Sequence, residues 1–235
     1  MMPLFWTFPR FSPRHFSRTQ FVSKMGAVGV PQHFKPKNIY IVGAQCTGKT
    51  SLVNALESSF VDLFSTPPPI VVREVARSVL KIHGFTANDI TSDPGRCLQL
   101  QALILEAQFN SERDALTRNT WIISDRSGID PIIYASRHIG SEAVDLMTSS
   151  NCWQELRDRM SQSLVFVCET VEDWLVSDGV RLMPRDVEDW MEYDNEFCRM
   201  LESAEIPYQM IPRSVKSLED RSSFVWSRWK EAALA

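Results

Sequence analysis

The feature that most constrains this chain is an eight-residue segment in which glycine, lysine and threonine stand at fixed distances. Residues 43–50 read Gly-Ala-Gln-Cys-Thr-Gly-Lys-Thr, which fits the pattern G-x-x-x-x-G-K-[ST]. An apolar, β-branched run at residues 38–42 enters the segment, and residues 50–63 leave it with apolar side chains at helical spacing. A strand, a glycine-containing turn and a helix in this order predict a loop that binds phosphate groups.

The residue types of this segment suit phosphate binding. Gly43 and Gly48 allow backbone angles that a Cβ atom disfavours, so that successive main-chain amides can surround a phosphate. Lys49 supplies a cation for the outer phosphates, and the hydroxyl of Thr50 is a ligand for Mg²⁺. A chance match in a glycine-containing turn is the alternative, which the flanking strand and helix disfavour. The predicted nucleotide-binding residues are Gly43, Ala44, Gln45, Cys46, Thr47, Gly48, Lys49, Thr50 and Ser51.

The rest of the chain alternates between short apolar runs and helical patterns. Further strands are predicted at residues 70–72, 121–123, 164–167 and 208–211, and helices near residues 74–82, 96–116, 151–161, 187–203 and 215–232. Consecutive strands are separated by segments that contain helices, which is the spacing of parallel crossover connections. The sequence therefore predicts a three-layer α/β sandwich with a central parallel five-stranded sheet over residues 37–235.

Charged residues follow the predicted strands at the edge where a parallel sheet binds ligands. Asp125 closes the third apolar run, the position of an aspartate that holds Mg²⁺, although a turn residue or a helix cap would occupy the same place. Glu74 follows the second strand and could either accept a proton from a substrate hydroxyl or pair with Arg77 on the same helix face. Arg126 stands beside Asp125 at the same edge.

Another arginine-bearing segment lies after the fourth strand. Residues 177–185 contain a turn signal together with Arg181 and Arg185 on a predicted loop. Guanidinium groups on a loop that closes over a transferred phosphate would stabilise its charge and exclude water. The alternative is an ordinary exposed loop with surface arginines, and spacing alone favours neither.

Composition and charge narrow the classes of function. The chain has 25 Lys and Arg against 29 Asp and Glu, a formal net charge of −4, so bulk attraction to nucleic acid is not expected. No stretch approaches the roughly 20 apolar residues of a membrane-spanning helix, so no membrane span is expected. The five cysteines are scattered without CxxC or Cys/His spacing, so neither a zinc site nor a disulfide framework is indicated.

Residues 1–36 differ from the remainder because they contain arginine, serine and aromatic residues but no acidic residue. This composition is typical of mitochondrial presequences. The alternatives are a disordered extension or a start codon upstream of Met25. The protein is therefore expected in the cytoplasm or in mitochondria.

Four segments resemble the NadR-like P-loop ATPase/kinase family. They read GAQCTGKTSLVNAL (residues 43–56), REVARSVL (73–80), SDRSGIDPIIYA (124–135) and DGVR (178–181), and the resemblance extends over residues 38–213. The chain is also similar to the wider group of nucleoside and nucleotide kinases. The resemblance implies ATP and Mg²⁺ at residues 43–50, Asp125 near the metal, Arg126 towards the acceptor, Arg181 as a lid arginine and Glu74 as the catalytic base. It further implies a base-reading role for Gln99, Gln101 or Gln108, the alternative being partly buried helix residues.

The expected function is a small-molecule kinase that moves the γ-phosphate of ATP to a nucleoside, a nucleotide or a related acceptor. A nucleotide hydrolase or switch is a second hypothesis, but residues 125–128 fit the DxxG pattern of GTPases without a later [NT]KxD motif. A third is a nucleotide-binding interaction protein without acceptor chemistry. No HxGH motif occurs, so the adenylyltransferase activity of the bifunctional member of the family is not expected.

Overall fold

The computed structural model describes residues 36–63, 67–175 and 184–234. Residues 1–35, which are all but the last residue of the predicted N-terminal extension, lie outside this part of the chain, and so does Arg181. The targeting role of the extension and the lid role of Arg181 therefore stay predictions.

Five strands form one sheet in which every neighbouring pair is parallel. They are β1 (Ile39–Val42), β2 (Ile70–Val72), β3 (Ile122–Asp125), β4 (Leu164–Cys168) and β5 (Tyr208–Ile211), and their order across the sheet is β2-β3-β1-β4-β5. Every residue of β1 and β3 is buried, as expected for the central strands of a parallel sheet that has helices on both faces.

Helices connect the strands and cover the sheet. They are α1 (Lys49–Leu63), α2 (Ala76–His83), α3 (Ala87–Ser92), α4 (Pro94–Arg118), α5 (Ile129–His138), α6 (Ser141–Thr148), α7 (Asn151–Ser161), α8 (Val187–Ser203) and α9 (Leu218–Leu234). A short 3-10 turn, Glu172–Trp174, follows β4. None of the helices in the described ranges is both long enough and apolar enough to cross a membrane.

Side chains that alternate along β1 point into two separate cores. Ile39 and Ile41 pack with α1 and α9 on one face of the sheet. Tyr40 and Val42 pack with α4, α5, α7 and α8 on the other face. The predicted fold class, a three-layer α/β sandwich around a five-stranded parallel sheet, is thereby confirmed.

Three helices were not predicted from the sequence: α3, α5 and α6. Two of them, α3 and α6, have 6 and 8 residues, too few for an apolar pattern to repeat over several turns. The third, α5, carries Pro131 at its third position, where proline is tolerated because the amides of the first turn have no partner within the helix.

The register of the sheet gathers the functional segments at one edge. Ile41 pairs with Asp125, and Val42 pairs with Val167, so the chain leaves β1, β3 and β4 on the same side. Glu74 follows β2 at that edge too. The loop of residues 43–50 therefore lies beside the charged residues that were predicted to accompany it.

Candidate active site

Two glycines hold the loop after β1 closely against its neighbours. Gly43 has a φ of 134° and Gly48 a φ of 75°, values that residues with a side chain rarely adopt. A Cβ atom on Gly43 would lie 2.7 Å from the main-chain oxygen of Cys168 in β4. One on Gly48 would lie 2.8 Å from a guanidinium nitrogen of Arg221 in α9. The loop thus leaves no space for a side chain at either position.

Lys49 is buried at the start of α1, and its ammonium group turns back onto the loop. Nζ donates a hydrogen bond to the carbonyl oxygen of Ala44, and a longer one of 3.3 Å to Oγ1 of Thr47. Burial, together with the positive charge of Arg126, lowers the pKa of Lys49 to about 8, although Asp130 acts in the opposite direction. A buried ammonium group of this kind gains from a bound anion, so the position favours phosphate.

Thr50 and Asp125 are brought together at the end of the loop. Thr50 Oγ1 donates to Oδ2 of Asp125 over 2.7 Å, although the residues are 75 positions apart in sequence. Asp125 is 1% exposed, and its Oδ1 atom is buried without a hydrogen-bond partner. A hydroxyl and a carboxylate with an unused oxygen are suitable ligands for Mg²⁺, which completes its shell with phosphate oxygens and water in nucleotide sites. These residues fit a metal at the predicted position.

An open cleft runs along the loop, and we call it the nucleotide cleft. Residues 46–51 line it together with Glu74, Arg126, Asp173 and Trp174. Six of the nine predicted nucleotide-binding residues are therefore in its wall. The other three are placed differently: Gly43 packs on β4, Ala44 accepts from Lys49, and Gln45 turns away from the cleft.

A second, smaller cavity lies beside the nucleotide cleft, and we call it the inner cavity. Its volume is about 90 Å³. Apolar side chains from α2, α3 and α4 form much of its wall. Its polar lining residues include Gln45, Glu74, Gln101, Gln108, Arg126 and Asp130.

Glu74 and Arg126 line both spaces and form a shared wall between them. Arg126 Nε donates to Oε1 of Glu74 over 2.9 Å, and Arg77 approaches Oε2 of the same carboxylate at 3.4 Å. The two alternatives for Glu74 are thus not exclusive, because it pairs with Arg77 and also faces the cavities. Burial alone would lower the pKa of Arg126, but the carboxylates of Glu74 and Asp130 raise it above its ordinary value, so Arg126 remains a cation.

Gln45 joins the loop to the inner cavity. Its side-chain oxygen accepts from the hydroxyl of Tyr134 at 2.9 Å, and its main-chain carbonyl accepts from the indole nitrogen of Trp190, also at 2.9 Å. Gln45 is 2% exposed. Gln45 therefore links the loop by hydrogen bonds to α5 and to α8.

The glutamines of α4 are placed unequally. Gln101 and Gln108 are buried and line the inner cavity, whereas Gln99 is exposed and does not. The amide nitrogen of Gln108 donates to Oε1 of Glu112 at 2.8 Å and to Oγ of Ser124 at 2.9 Å. The carboxylate of Glu112 can only accept, so the amide nitrogen of Gln108 must face it. Both hydrogens of that nitrogen are used in these two bonds, and the side-chain oxygen of Gln108 is the atom left for a ligand.

Comparisons with known proteins identify the family and the fold. The family profile described as "AAA domain" matches residues 38–221. The chain belongs to this AAA domain family. No curated protein sequence matches the chain with significance. NadR in complex with NR has a similar structure, with a TM-score of 0.65 and 16% sequence identity over 86% of this chain and 53% of that one. Deoxyadenosine kinase from M. mycoides with bound dATP is similar with a TM-score of 0.59 and 12% identity over 83% of this chain and 99% of that one.

At sequence identities of 16% and 12%, the similarity to these solved structures concerns the fold alone. This chain spans about half of the NadR chain, 53% of its length. The family match, together with the similarity to NadR and to deoxyadenosine kinase, confirms the resemblance to the NadR-like P-loop kinase domain.

Asp130 is a site residue of the AAA domain that the sequence analysis did not single out. Its Oδ1 accepts from Arg126 at 3.1 Å, and its Oδ2 accepts from the main-chain nitrogen of Ser127 at 2.8 Å. Burial raises the pKa of Asp130, while the charge of Arg126 opposes that shift. The spacing Ser127-x-x-Asp130 is similar to a helix-capping pattern and was the available signal.

Trp174 and Arg221 also reach the nucleotide cleft or its loop without having been predicted. Arg221 Nη1 donates to the carbonyl oxygen of Thr47 at 2.9 Å, and the two residues are 174 positions apart. The guanidinium carbon lies 5.2 Å from the centre of the Trp174 ring. No local sequence pattern indicates contacts over such separations.

Proposed function

We propose that this AAA domain is a small-molecule kinase that transfers the γ-phosphate of ATP, with Mg²⁺, to a hydroxyl group of an acceptor in the inner cavity. The observation that carries this proposal is the shared wall of Glu74 and Arg126. A nucleotide hydrolase needs only the nucleotide cleft. A kinase needs two binding spaces that meet at the transferred phosphate, and the two cavities supply that arrangement.

On the nucleotide side, the loop amides and Lys49 would bind the phosphates. Lys49 contacts the carbonyl of Ala44 and the hydroxyl of Thr47, and a bound phosphate would replace these two partners. Because burial lowers the pKa of Lys49, its ammonium form would gain from the negative charge of that phosphate. Thr50 and the unused oxygen of Asp125 would hold Mg²⁺. Bound there, the metal would neutralise charge on the phosphate oxygens.

On the acceptor side, Glu74 would take the proton of the attacking hydroxyl. The hydroxyl oxygen forms a bond to the γ-phosphorus, the bond from that phosphorus to the β-phosphate oxygen breaks, and ADP leaves. Arg126 remains charged, and its pairs with Glu74 and Asp130 fix its guanidinium between the two spaces. It would stabilise the charge of the transferred group there.

The structure and its relatives favour an acceptor of the nucleoside type. One similar structure holds NR and the other is named as a kinase of deoxyadenosine, which supports an acceptor with a ring and a sugar hydroxyl. Gln108 would offer its oxygen to a ligand N–H group, and Gln101, which is also buried, lines the same cavity. The inner cavity has about 90 Å³, less than the range of roughly 300–1,000 Å³ for sites of drug-sized ligands, so a nucleoside would require its walls to move outward.

The proposal is tested by measuring ADP release from Mg-ATP with a panel of acceptors. The panel contains purine and pyrimidine nucleosides, nucleoside monophosphates, nicotinamide riboside and small diols. We expect at least one acceptor to stimulate release, and Lys49→Met to abolish that stimulation. Lys81→Met, which changes an exposed lysine of α2, is the matched control and should leave release unchanged.

The other outcomes identify the competing functions. Release of ADP that no acceptor alters would contradict the kinase and indicate a hydrolase. Nucleotide binding without any release would contradict it as well, and would indicate an interaction protein.

A further inference from the structure

One aromatic residue of the nucleotide cleft has no role in phosphate binding or in the proposed transfer. Trp174 stands at the end of the 3-10 turn after β4 and lines the same cleft as residues 46–51. Its ring lies directly against the loop, since a Cβ atom on Gly48 would be 3.2 Å from the ring. Three other tryptophans of the C-terminal half, Trp190, Trp226 and Trp229, are fully buried in the core, whereas Trp174 is only partly buried.

The residues that line the nucleotide cleft beside its loop fall into two pairs, of which only one also lines the inner cavity. Glu74 and Arg126 line both the cleft and the inner cavity, so the γ-phosphate of a nucleotide must point towards them if it is to reach an acceptor. Trp174 and Asp173 line the cleft but not the inner cavity. A nucleotide whose γ-phosphate meets the shared wall would leave its sugar and base in the rest of the cleft, where Trp174 is the aromatic lining residue.

Arg221 holds the indole in place. Its guanidinium carbon lies 5.2 Å from the centre of the Trp174 ring, a cation–π distance, while Nη1 is bonded to the carbonyl oxygen of Thr47. Arg221 is 2% exposed, and its Nε atom is buried without a hydrogen-bond partner. The buried guanidinium of Arg221 thus contacts both the loop and the indole of Trp174.

We propose that Trp174, positioned by Arg221, is the platform on which the base of the bound nucleotide stacks. This inference rests on the proposed function of the cleft as a nucleoside triphosphate site. Main-chain amides and Lys49 bind phosphates of any nucleotide alike, so they give no preference for a base. A flat indole supplies affinity for the base itself, because every base presents a face that can stack on it.

The test compares a complete nucleotide with phosphates alone. Binding of a non-hydrolysable ATP analogue and of inorganic tripolyphosphate, both with Mg²⁺, is measured by calorimetry for the full chain and for Trp174→Ala and Trp174→Phe. We expect Trp174→Ala to weaken the ATP analogue on the order of 10- to 100-fold, the size of one base–aromatic stack, and to leave tripolyphosphate unchanged. Trp174→Phe should restore most of the affinity.

Each remaining outcome identifies which claim fails. Equal weakening of both ligands by Trp174→Ala would overturn the platform, because the residue would then act only by supporting the loop. Unchanged affinity for the ATP analogue would overturn it as well, while leaving the phosphate site intact. If the unaltered chain bound neither ligand, the nucleotide site itself would be wrong, and the platform with it. Thermal unfolding of each variant confirms that the fold is retained.

Discussion

The nucleotide cleft and the inner cavity share two side chains, yet their walls are held in place by different means. The cleft is built from six consecutive residues, 46–51, on a loop whose glycines fit closely against β4 and α9. The inner cavity is built from side chains of separate segments, joined by the ion pairs of Arg126 with Glu74 and Asp130. The cleft should therefore be sensitive to changes of the backbone, and the inner cavity to changes of charged side chains. Each prediction below tests one part of this contrast.

The largest effect is expected at the shared wall. Glu74→Gln removes the proposed proton acceptor but leaves Lys49 and the loop amides unchanged. Turnover with the best acceptor should fall on the order of 10²- to 10⁴-fold, the usual contribution of a general base. Affinity for the ATP analogue should change little. Steady-state kinetics and calorimetry measure the two quantities.

Glu57→Gln is the control for that substitution, because Glu57 is an exposed carboxylate that also pairs with an arginine, Arg73, but lines neither space. It should leave turnover unchanged. Unaltered turnover in Glu74→Gln would refute the proton-accepting role of Glu74 and would direct the search to Asp130.

The support of the inner cavity should depend on an ion pair whose two residues do not themselves line it. Arg159 Nη1 donates to Oε2 of Glu112 at 2.7 Å, and Glu112, which is 0% exposed, positions the amide of Gln108. Arg159→Met would leave that carboxylate without its cation, which costs about 3–5 kcal/mol of unfolding free energy. Denaturant unfolding measures the loss. Arg157→Met breaks an exposed pair with Asp158 in the same helix and should cost at most about 1 kcal/mol.

The loss of unfolding free energy in Arg159→Met should depend on pH, and the pKa of Glu112 determines the direction. Burial raises the pKa of Glu112 in the folded protein above its unfolded value, and loss of Arg159 raises it further. A carboxyl group shifted in this direction stabilises the fold most below its unfolded pKa, and that contribution is lost as the pH rises through the folded pKa. The deficit of Arg159→Met should therefore shrink as the pH is lowered from about 7 to about 5. A deficit that grows on acidification would contradict this account.

The cleft, in contrast, should be damaged by a single methyl group on its backbone. Gly43→Ala places a Cβ atom 2.7 Å from the oxygen of Cys168 at a φ of 134°. Gly84→Ala introduces the same group at a φ of 68° with no atom within 4 Å. The first should cost about 1–3 kcal/mol more unfolding free energy than the second, which is the usual cost of overpacking. Equal losses in urea unfolding would show that the loop is not held against β4.

The smallest effect is expected from the protonation of Lys49. Its pKa is about 8 in the free protein, and a phosphate is bound by the protonated form. Above that pH, binding must be accompanied by proton uptake, so affinity for the ATP analogue should fall by up to about tenfold per pH unit. Lys49→Arg, if it binds, should show no such fall because arginine stays protonated. A flat profile for the unaltered chain would contradict the lowered pKa.

The sequence predicted the parts of the site that are local in the chain. The loop, Lys49 and Thr50 belong to one motif, and Glu74, Asp125 and Arg126 follow strands whose carboxyl ends must meet in a parallel sheet. Arg221 and Trp174 could not be assigned in this way, because their positions depend on how helices pack on the sheet rather than on spacing. Gln108 was indicated only by the resemblance to the kinase family, together with Gln99 and Gln101. Gln45 shows the same limit within the motif itself, since its side chain is drawn into the inner cavity by Tyr134. At Pro131 the local sequence was misleading. Proline usually interrupts a helix, so none was predicted there, yet Pro131 lies in the first turn of α5.

The contacts of α9 have a consequence for the order in which the site forms during synthesis of the chain. This helix donates hydrogen bonds from Arg221 to Thr47, from Trp226 to Ser59 and from Trp229 to Lys37, all of which are near the start of the described chain. A ribosome adding 5–20 residues per second reaches Arg221 roughly 10 to 35 s after Thr47. During that interval the loop lacks the support beneath it. The supported form of the loop, with Arg221 bonded to Thr47, can therefore exist only after α9 has been synthesised.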